Sequence, residues 1–419
     1  MLTTHSKWCY VIIILNIVTI VFVIMLKTIK YLSLMYFFWG MASSMIFTLL
    51  PIFIIEDLHG TMSQFGFIEG IVVFFSFLSK LCVGFLIDIY RKRIKILYIG
   101  TISTIISKIL LACSCSVIFV VIAKSIDRLA KGLRHAPVDA IFASLINKKG
   151  YIYSYRYAIN ISGSLTGSLL TSLLVFRFGH QFRLIFILAC IPTMISYYIL
   201  KTKVKYKDKE YTPIVKRPDW RISYIKYLPV EYWRLLILVA LIMLNRFSEG
   251  FISLKAKSLL SSDQLGYIPM YIGIYELFII FTSIPMGLLS DKINKYTVIL
   301  IGLVSLLIAD IFGIFANDNV SAIMIYIFSG IHMGSTHSIL SSIIAKITPI
   351  ELIGTAFALY YGTSGIILLI SNNLAGSLGN FFNLNITSWP FIMGSITTSI
   401  AILYTIILIN KYKNSLEIK

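Results

Sequence analysis

The sequence predicts an all-α polytopic membrane protein, with two pseudo-symmetric six-helix bundles around a central cavity and one extra N-terminal hydrophobic helix. Three observations predict this fold class. Of 419 residues, 58% are hydrophobic and only 13% are charged, whereas soluble domains average about 25% charged residues, so nucleic-acid binders, secreted disulfide scaffolds and disordered chains are excluded. Twelve apolar runs approach or exceed the ~20 residues that a spanning helix needs. A short motif also occurs twice, about half the chain apart.

Six of these runs precede a polar central stretch and six follow it. The predicted spans are Leu32–Ile55, Phe65–Ile87, Ile96–Ala112, Val117–Ile146, Ile152–Phe176, Phe182–Leu200, Tyr232–Leu260, Gly266–Ser290, Thr297–Ala316, Ser321–Ile347, Leu352–Leu378 and Ser388–Ile409. The spans predict five regions along the chain. These are an N-terminal segment 1–30, a first bundle 31–200, a basic cytoplasmic linker 201–230, a second bundle 231–410 and a tail 411–419.

The distribution of lysine and arginine predicts the orientation in the membrane. The net charge is +19, and nine of the basic residues lie in the central stretch Lys201–Lys226. Loops on the same side are also basic, whereas the opposite loops contain no lysine or arginine at Glu56–Gln64, Ser114–Ser116, Ala316–Val320 and Gly379–Thr387. Because basic loops stay in the cytoplasm, the central linker and the C-terminus are predicted to be cytoplasmic.

An additional apolar run, Cys9–Leu26, precedes the twelve spans. It is long for the hydrophobic region of a signal peptide, and no small-residue cleavage site follows it. Two interpretations stay open: an added span with an outer N-terminus, which we favour, or a leader translated from an upstream start.

A motif with a glycine and an aspartate four residues later follows the second and the eighth span. The two copies are offset by 203 residues, which indicates a duplicated bundle. We interpret each aspartate and its following bases as a gating cluster that forms in one state and breaks in the other; the alternative is a plain helix stop. The gating residues are Gly84, Asp88, Lys92 and Arg93 in the first copy, and Gly287, Asp291, Lys292 and Lys295 in the second.

These two motifs resemble the signature loop of the major facilitator superfamily, which reads Gly-x-Leu-x-Asp-Arg-x-Gly-Arg-Arg/Lys. The first copy departs from it at Ile89 and Arg91. The string from Asp127 to Ala140, DRLAKGLRHAPVDA, is similar to the fourth helix of one bacterial branch of that superfamily. The resemblance implies alternating access about a central cavity, often powered by protons.

The fourth span carries a cationic helix face, because Lys124, Arg128, Lys131 and His135 recur at spacings of four, three and four. Two uses of these bases stay open. The face contacts an anionic substrate group, with Arg128 the strongest candidate and Lys131 the second, or it neutralises nearby aspartates in a structural network. Arg134 is interpreted as structural.

Three glutamates lie within predicted spans: Glu69, Glu249 and Glu276. Because ionisable groups inside a bilayer are costly, they persist mainly where they are paired or functional. We hypothesise that one of the three carries protons, paired with Arg128 or Arg246. The alternative is a permanent buried ion pair.

Other residues in the spans suggest local structure. Arg246 and Glu249 are spaced for a local ion pair, Asp310 is expected to be structural, and the spacing of His332 and His337 is poor for a shared metal. The pair Gly163-x-x-x-Gly167 favours close helix packing.

The sequence thus predicts a secondary transporter for a small polar or anionic solute, by alternating access and coupled to protons, in a bacterial inner membrane. We expect a monomer in the lipid bilayer, with no cofactor, no metal and no nucleic-acid partner. The alternatives are a non-transporting sensor or scaffold on a transporter fold, or an exporter of drugs or metabolites. A membrane enzyme is disfavoured, because the chain has no Asp-x-x-Asp pair or Gly-x-Ser-x-Gly motif.

Overall fold

The computed structural model describes residues 27–412, except for 91–92, 146–148, 205–221, 262–263, 350–351 and 382–387. The predicted N-terminal span Cys9–Leu26, most of the central linker and the tail beyond residue 412 therefore lie outside the described residues. The described residues up to Thr202 are called the N half, and those from Val230 onward are called the C half.

The described residues form helices joined by short connections, with no strand among them, which confirms the predicted fold class. The helices are α1 (Lys27–Phe47, continued by Leu50–Ile52 and a π-helical turn Phe53–Asp57), α2 (Met62–Tyr90), α3 (Arg93–Ala112), α4 (Val117–Leu145), α5 (Lys149–Phe178), α6 (Phe182–Leu188 and Cys190–Thr202), α7 (Val230–Leu244 and Glu249–Ser258), α8 (Tyr267–Ser290), α9 (Lys295–Phe315), α10 (Asn319–Ile347), α11 (Ile353–Phe381) and α12 (Trp389–Lys411); a short 3₁₀ helix, Ile222–Tyr227, precedes α7.

Within the described part of the chain, nine helical spans are long and apolar enough to cross a membrane. The other three long helices are α4, α10 and α11. Helix α4 carries the densest run of charges, so its low hydropathy reflects the residues that the sequence singles out as functional candidates.

Helices α1 and α5 pack in close contact through glycines. A Cβ atom built on Gly163 would lie 2.0 Å from the carbonyl oxygen of Phe37, and one on Gly167 would lie 2.4 Å from that of Met41. Only a glycine leaves room for backbones this close. The predicted close packing at Gly163 and Gly167 is confirmed.

Two helix pairs join the halves: α2 packs along α11, and α5 packs along α8. In the first pair, a Cβ atom on Gly66 would lie 2.3 Å from the carbonyl oxygen of Asn372. In the second pair, Ser172 Oγ donates a hydrogen bond of 2.7 Å to the carbonyl of Gly266. The two pairs are related by the duplication of the chain.

The predicted outer end of the bundle is sealed by apolar side chains from both halves. Phe53 and Phe65 of the N half lie in one buried cluster with Phe251 and Leu254 of the C half. The rings of Phe65 and Phe251 are 5.0 Å apart between centroids. An ion pair between Glu56 and Lys257 also joins the halves at this end.

Helix α7 is interrupted at residues 245–248. Ser248 caps its second segment by accepting a hydrogen bond of 3.2 Å from the N–H of Gly250, as serine commonly does at a helix N-terminus. Asn245 donates to Asp310 over 2.7 Å and also to Thr398. Asp310 therefore holds the end of the first segment in place.

We predict that Gly163→Ala lowers the melting temperature of the detergent-purified protein, because the added methyl meets a backbone oxygen that cannot move aside. Overpacking of this kind typically costs about 1–3 kcal/mol. Gly287→Ala is the matched control, because a Cβ atom there would have nothing described within 4 Å. Intrinsic tryptophan fluorescence during heating measures the difference. Equal melting temperatures for the two variants would contradict the tight contact.

Candidate functional site

A cavity of about 290 Å³ lies between the two halves, next to the apolar seal. Helices α1 to α5 line it from the N half, and α7, α8 and α10 line it from the C half. Five of the six predicted substrate or proton-coupling residues line the cavity. These are Glu69, Arg128, Lys131, Glu249 and Glu276.

Glu69 on α2 forms a buried ion pair with Lys124 on α4. Its second carboxylate oxygen accepts a hydrogen bond of 3.0 Å from Ser248 Oγ, at the interruption of α7. The backbone N–H of Ser248 in turn donates to Asn372 Oδ1 over 2.8 Å. Glu69 thus has its own cation within the N half and a hydroxyl partner from the C half. The partner of Glu69 is Lys124 rather than the hypothesised Arg128 or Arg246.

Glu276 on α8 has a different environment, with a relative exposure of 3%. Ser164 Oγ on α5 donates to its Oε1, and Ser168 Oγ lies 3.1 Å from its Oε2. Among the described residues, no lysine, arginine or histidine forms an ion pair with Glu276. Its polar partners are therefore two hydroxyls of the opposite half.

Arg246 and Glu249 do not form the local ion pair that their spacing suggests. Glu249 Oε1 accepts a hydrogen bond of 3.2 Å from the hydroxyl of Tyr275, and Arg246 Nη2 contacts the sulfur of Met333. Because Arg246 precedes the second segment of α7 and Glu249 begins it, the helical geometry behind that expectation is absent between them. Arg246 is not among the residues that line the cavity.

The cationic face of α4 lines the N half of the cavity together with a base from α3 that the sequence interpretation did not single out. Lys108 is buried and donates to the carbonyl of Ala42 over 3.0 Å. Arg134 has a relative exposure of 2%, lies with its Cζ 4.9 Å from the ring centroid of Trp39, and approaches Asp127 at 4.0 Å. Arg134 thus lines the cavity, although its sequence position suggested only a structural role.

The gating residues are described only in part. The surroundings of Gly84 and the side chains of Asp88 and Lys92 lie outside the described residues, and Arg93 begins α3. In the second copy, Asp291 and Lys292 are exposed, while Lys295 Nζ donates to Ser342 Oγ on α10 over 3.0 Å. Gly287 makes no close helix approach in this conformation. Their gating role stays a prediction.

The two histidines of α10 have different surroundings. His332 is buried, with its Nδ1 3.0 Å from the carbonyl oxygen of Gly302, and His337 stacks on Tyr157 of the N half with ring centroids 5.5 Å apart. Within the described ranges, no group of three or more His, Cys, Asp or Glu residues is arranged to hold a metal ion.

The hydroxyl partners of the carboxyl groups are residues that the sequence did not reveal. Ser164, Ser168 and Ser248 are ordinary residues of apolar segments, and nothing in their spacing relates them to a glutamate on another helix. Lys108 carried a usable signal, because it is an isolated charge within the apolar run of the third span.

Comparison with known proteins identifies the family. The chain matches the family model described as Major Facilitator Superfamily over residues 32–254 and again over 235–417. The chain belongs to this superfamily. An uncharacterized MFS-type transporter of Methanocaldococcus jannaschii is 28% identical over 360 residues, which are 84% of this chain and 88% of that protein.

Solved structures of superfamily transporters share the fold. The nucleoside transporter NupG aligns with a TM-score of 0.70 at 12% identity, over 93% of this chain and 100% of that one. The peptide transporter POT in complex with sulfate aligns with a TM-score of 0.73 at 14% identity, over 92% and 94%. Together these findings identify a multi-pass membrane transporter of the MFS type.

We predict that Glu69→Gln destabilises the protein more than the double variant Glu69→Gln/Lys124→Met. Removing one partner of a buried ion pair leaves an uncompensated charge, which typically costs about 3–5 kcal/mol, whereas removing both charges is often close to neutral. Melting temperatures in detergent measure the two effects. Glu231→Gln, outside the cavity, is the control. A double variant no more stable than Glu69→Gln would contradict this account of the pair.

Proposed function

We propose that the protein is a secondary transporter that moves a small polar or anionic solute by alternating access, coupled to proton movement through Glu276. One observation carries this proposal. Ser168 Oγ lies 2.9 Å from the carbonyl oxygen of Leu165 and 3.1 Å from Glu276 Oε2. A hydroxyl has one proton and cannot donate fully to both.

A proton on Glu276 completes this network. Protonated Oε2 donates to Ser168 Oγ, Ser168 donates to the carbonyl of Leu165, and Ser164 donates to Oε1. Loss of the proton would leave a buried charge with no cation among the described residues, and uncompensated charges in a protein interior are costly. The arrangement in which the predicted outer end is sealed therefore favours the protonated form of Glu276.

Alternating access would link this proton to the movement of the two halves. Glu276 of the C half is bonded to Ser164 and Ser168 of the N half, and Glu69 of the N half is bonded to Ser248 of the C half. Separation of the halves at the predicted outer end would break these bonds and admit water. Water stabilises the charged form of a carboxyl group. Glu276 would then release its proton when the outer end opens.

The walls of the cavity support a polar or anionic solute. Arg128, Lys131 and Arg134 of α4 line the cavity together with Lys108 of α3. Arginine in particular binds carboxylate and phosphate groups through paired hydrogen bonds. Two structural relatives are a nucleoside transporter and a peptide transporter, and nucleosides and peptides are polar molecules.

We predict that Glu276→Gln abolishes solute-driven proton movement while solute exchange between the two sides continues. Glutamine keeps the hydrogen bonds but cannot exchange a proton. The measurement uses proteoliposomes containing a pH-sensitive dye, challenged with pooled amino acids, peptides, nucleosides and drugs. Exchange is followed with radiolabelled solute from the active pool. Glu69→Gln and Glu249→Gln are compared in parallel, and Glu231→Gln is the control outside the cavity.

Each outcome has a defined meaning. Loss of proton movement with continued solute exchange, in Glu276→Gln alone, supports this carboxyl group as the carrier. Unchanged proton movement in that variant would contradict it. Loss of proton movement in Glu69→Gln or Glu249→Gln would transfer the role only where that variant still exchanges solute. Solute uptake without any proton movement would indicate a uniporter. Absence of both uptake and proton movement would favour the sensor or scaffold.

We further propose that the protein lies in the bacterial inner membrane with its central linker and C-terminus in the cytoplasm. The loop between α3 and α4 would then face outward, and it contains the exposed Cys113 and Cys115. A variant retaining only these two cysteines is expected to react with a membrane-impermeant maleimide in intact spheroplasts. The variant without cysteines is the control. If labelling requires disruption of the membrane, the loop faces the cytoplasm and the orientation is opposite to the one proposed.

A further inference from the structure

We propose that the cavity binds a small zwitterion, with its carboxylate held by Arg128 and Arg134 of the N half and its ammonium group held by Glu249 of the C half. The inference rests on the proposed function only in taking this cavity as the solute site. It adds the chemical class of the solute and an orientation for it.

The N half presents a surplus of positive charge to the cavity. Five cations and two carboxylates of this half line it: Lys108, Lys124, Arg128, Lys131, Arg134, Glu69 and Asp127. Lys124 and Glu69 neutralise each other as an ion pair. The remaining carboxylate, Asp127, lies among several bases, so the wall keeps a positive surplus that favours an acidic ligand group.

Two of these bases have donors available for a ligand. The guanidinium group of Arg128 makes no hydrogen bond or ion pair with any residue that the structure describes. Arg134 is almost completely buried, and its Nε and Nη1 have no hydrogen-bond partner among the described atoms. Buried donors without partners are costly. A carboxylate in the cavity would satisfy them.

The C half presents the opposite charge. Its ionisable acidic residues on the cavity wall are Glu249 and Glu276. The carboxyl group of Glu276 is already hydrogen-bonded to the hydroxyls of Ser164 and Ser168. Glu249 has one hydrogen bond, from Tyr275, and forms no ion pair with a cation in the described part of the chain. Glu249 therefore remains available to bind an ammonium group.

The two walls together discriminate between solute classes. A simple anion would face Glu249 without a counter-charge, and a simple cation would face the bases of α4. A neutral solute would leave both Arg128 and Glu249 desolvated and unpaired, which is unfavourable. A zwitterion pairs both charges at once, so the charge pattern of the cavity favours it over the other three classes.

The dimensions favour a small member of this class. The cavity volume of about 290 Å³ lies at the lower limit of ligand pockets, which range from about 300 to 1,000 Å³. Aromatic rings of Trp39 and Tyr157 also line it and would pack against the apolar part of a solute. An amino acid or a dipeptide fits this volume and this charge pattern.

Binding is tested on the full-length protein in detergent, by the shift in melting temperature with added ligand. The probes are a pool of the standard amino acids and a pool of dipeptides, each compared with its N-acetyl forms and its C-terminal amides. We expect at least one zwitterionic pool to raise the melting temperature of the wild type. At equal concentration, the derivatives that lack the ammonium or the carboxylate should give no comparable shift.

Two substitutions assign the groups. Arg128→Met is expected to weaken zwitterion binding by about tenfold or more, the usual effect of losing a charged hydrogen bond, and Arg128→Lys should restore part of it. Glu249→Gln should weaken zwitterion binding and reduce the difference in melting-temperature shift between the zwitterions and their N-acetyl forms. Lys201→Met and Glu231→Gln, outside the cavity, should bind like the wild type. Ligand-induced shifts in melting temperature are compared only among variants that unfold in a single cooperative transition, because these variants are folded.

The result separates this inference from the proposed transport function. Absence of a shift with both zwitterionic pools, or an equal shift with the N-acetyl forms in the wild type, would overturn the inference. Proton-coupled movement of a non-zwitterionic solute would preserve the proposed function and overturn the inference that the solute is a zwitterion. Zwitterion binding that depends on Arg128 and Glu249, without any proton movement, would preserve the inference and contradict proton coupling.

Discussion

The free-energy cost of holding a carboxyl group away from water is the constraint on which the central cavity depends. Glu69 and Glu276 are both buried where the two halves meet. A buried carboxyl group needs a cation, a set of hydrogen-bond donors or a proton. In both cases, one or more donors come from the opposite half, so the cost of burial depends on how the halves are arranged.

Several other features of the fold control how the two halves surround these carboxyl groups. The apolar seal at the predicted outer end lies next to the cavity that both carboxyl groups line, so it would keep water from reaching them from that end. The interruption of α7 places Ser248 so that one residue caps the second segment of the helix and also donates to Glu69. Asp310 and Asn245 hold the end of the first segment. A movement of α7 would therefore alter the environment of Glu69 directly.

The sequence was sufficient to predict the architecture because bilayer thickness fixes the length of an apolar span. The twelve predicted spans correspond to the twelve helices, and the cavity contains most of the predicted charged candidates. The pairing within the cavity was not predictable to the same degree. Arg246 and Glu249 are three residues apart, yet the helix is interrupted between them, so the periodicity that suggested an ion pair does not apply.

Partners from distant helices were the least predictable part of the site. Glu276 meets Ser164 and Ser168, which are more than 100 residues away in the sequence. Serine is common in membrane helices as a packing residue, and many of the described serines, such as Ser162 and Ser335, donate to a carbonyl within their own helix. Selecting the two that reach Glu276 requires the crossing of α5 and α8, which depends on the packing of the entire bundle.

The duplication of the chain makes the difference between the two carboxyl groups informative. Glu69 and Glu276 occupy comparable positions in α2 and α8, offset by 207 residues. Helix α4 supplies Lys124 to the first, whereas α10, its counterpart, contains one lysine, Lys346, in its last turn. The same offset from Lys124 falls on Ile331 in α10. One carboxyl group thus has a permanent countercharge and the other has hydroxyls alone. Since a countercharge stabilises the charged form of a carboxyl group, this difference supports our proposal that Glu276, rather than Glu69, is the group that gains and loses a proton.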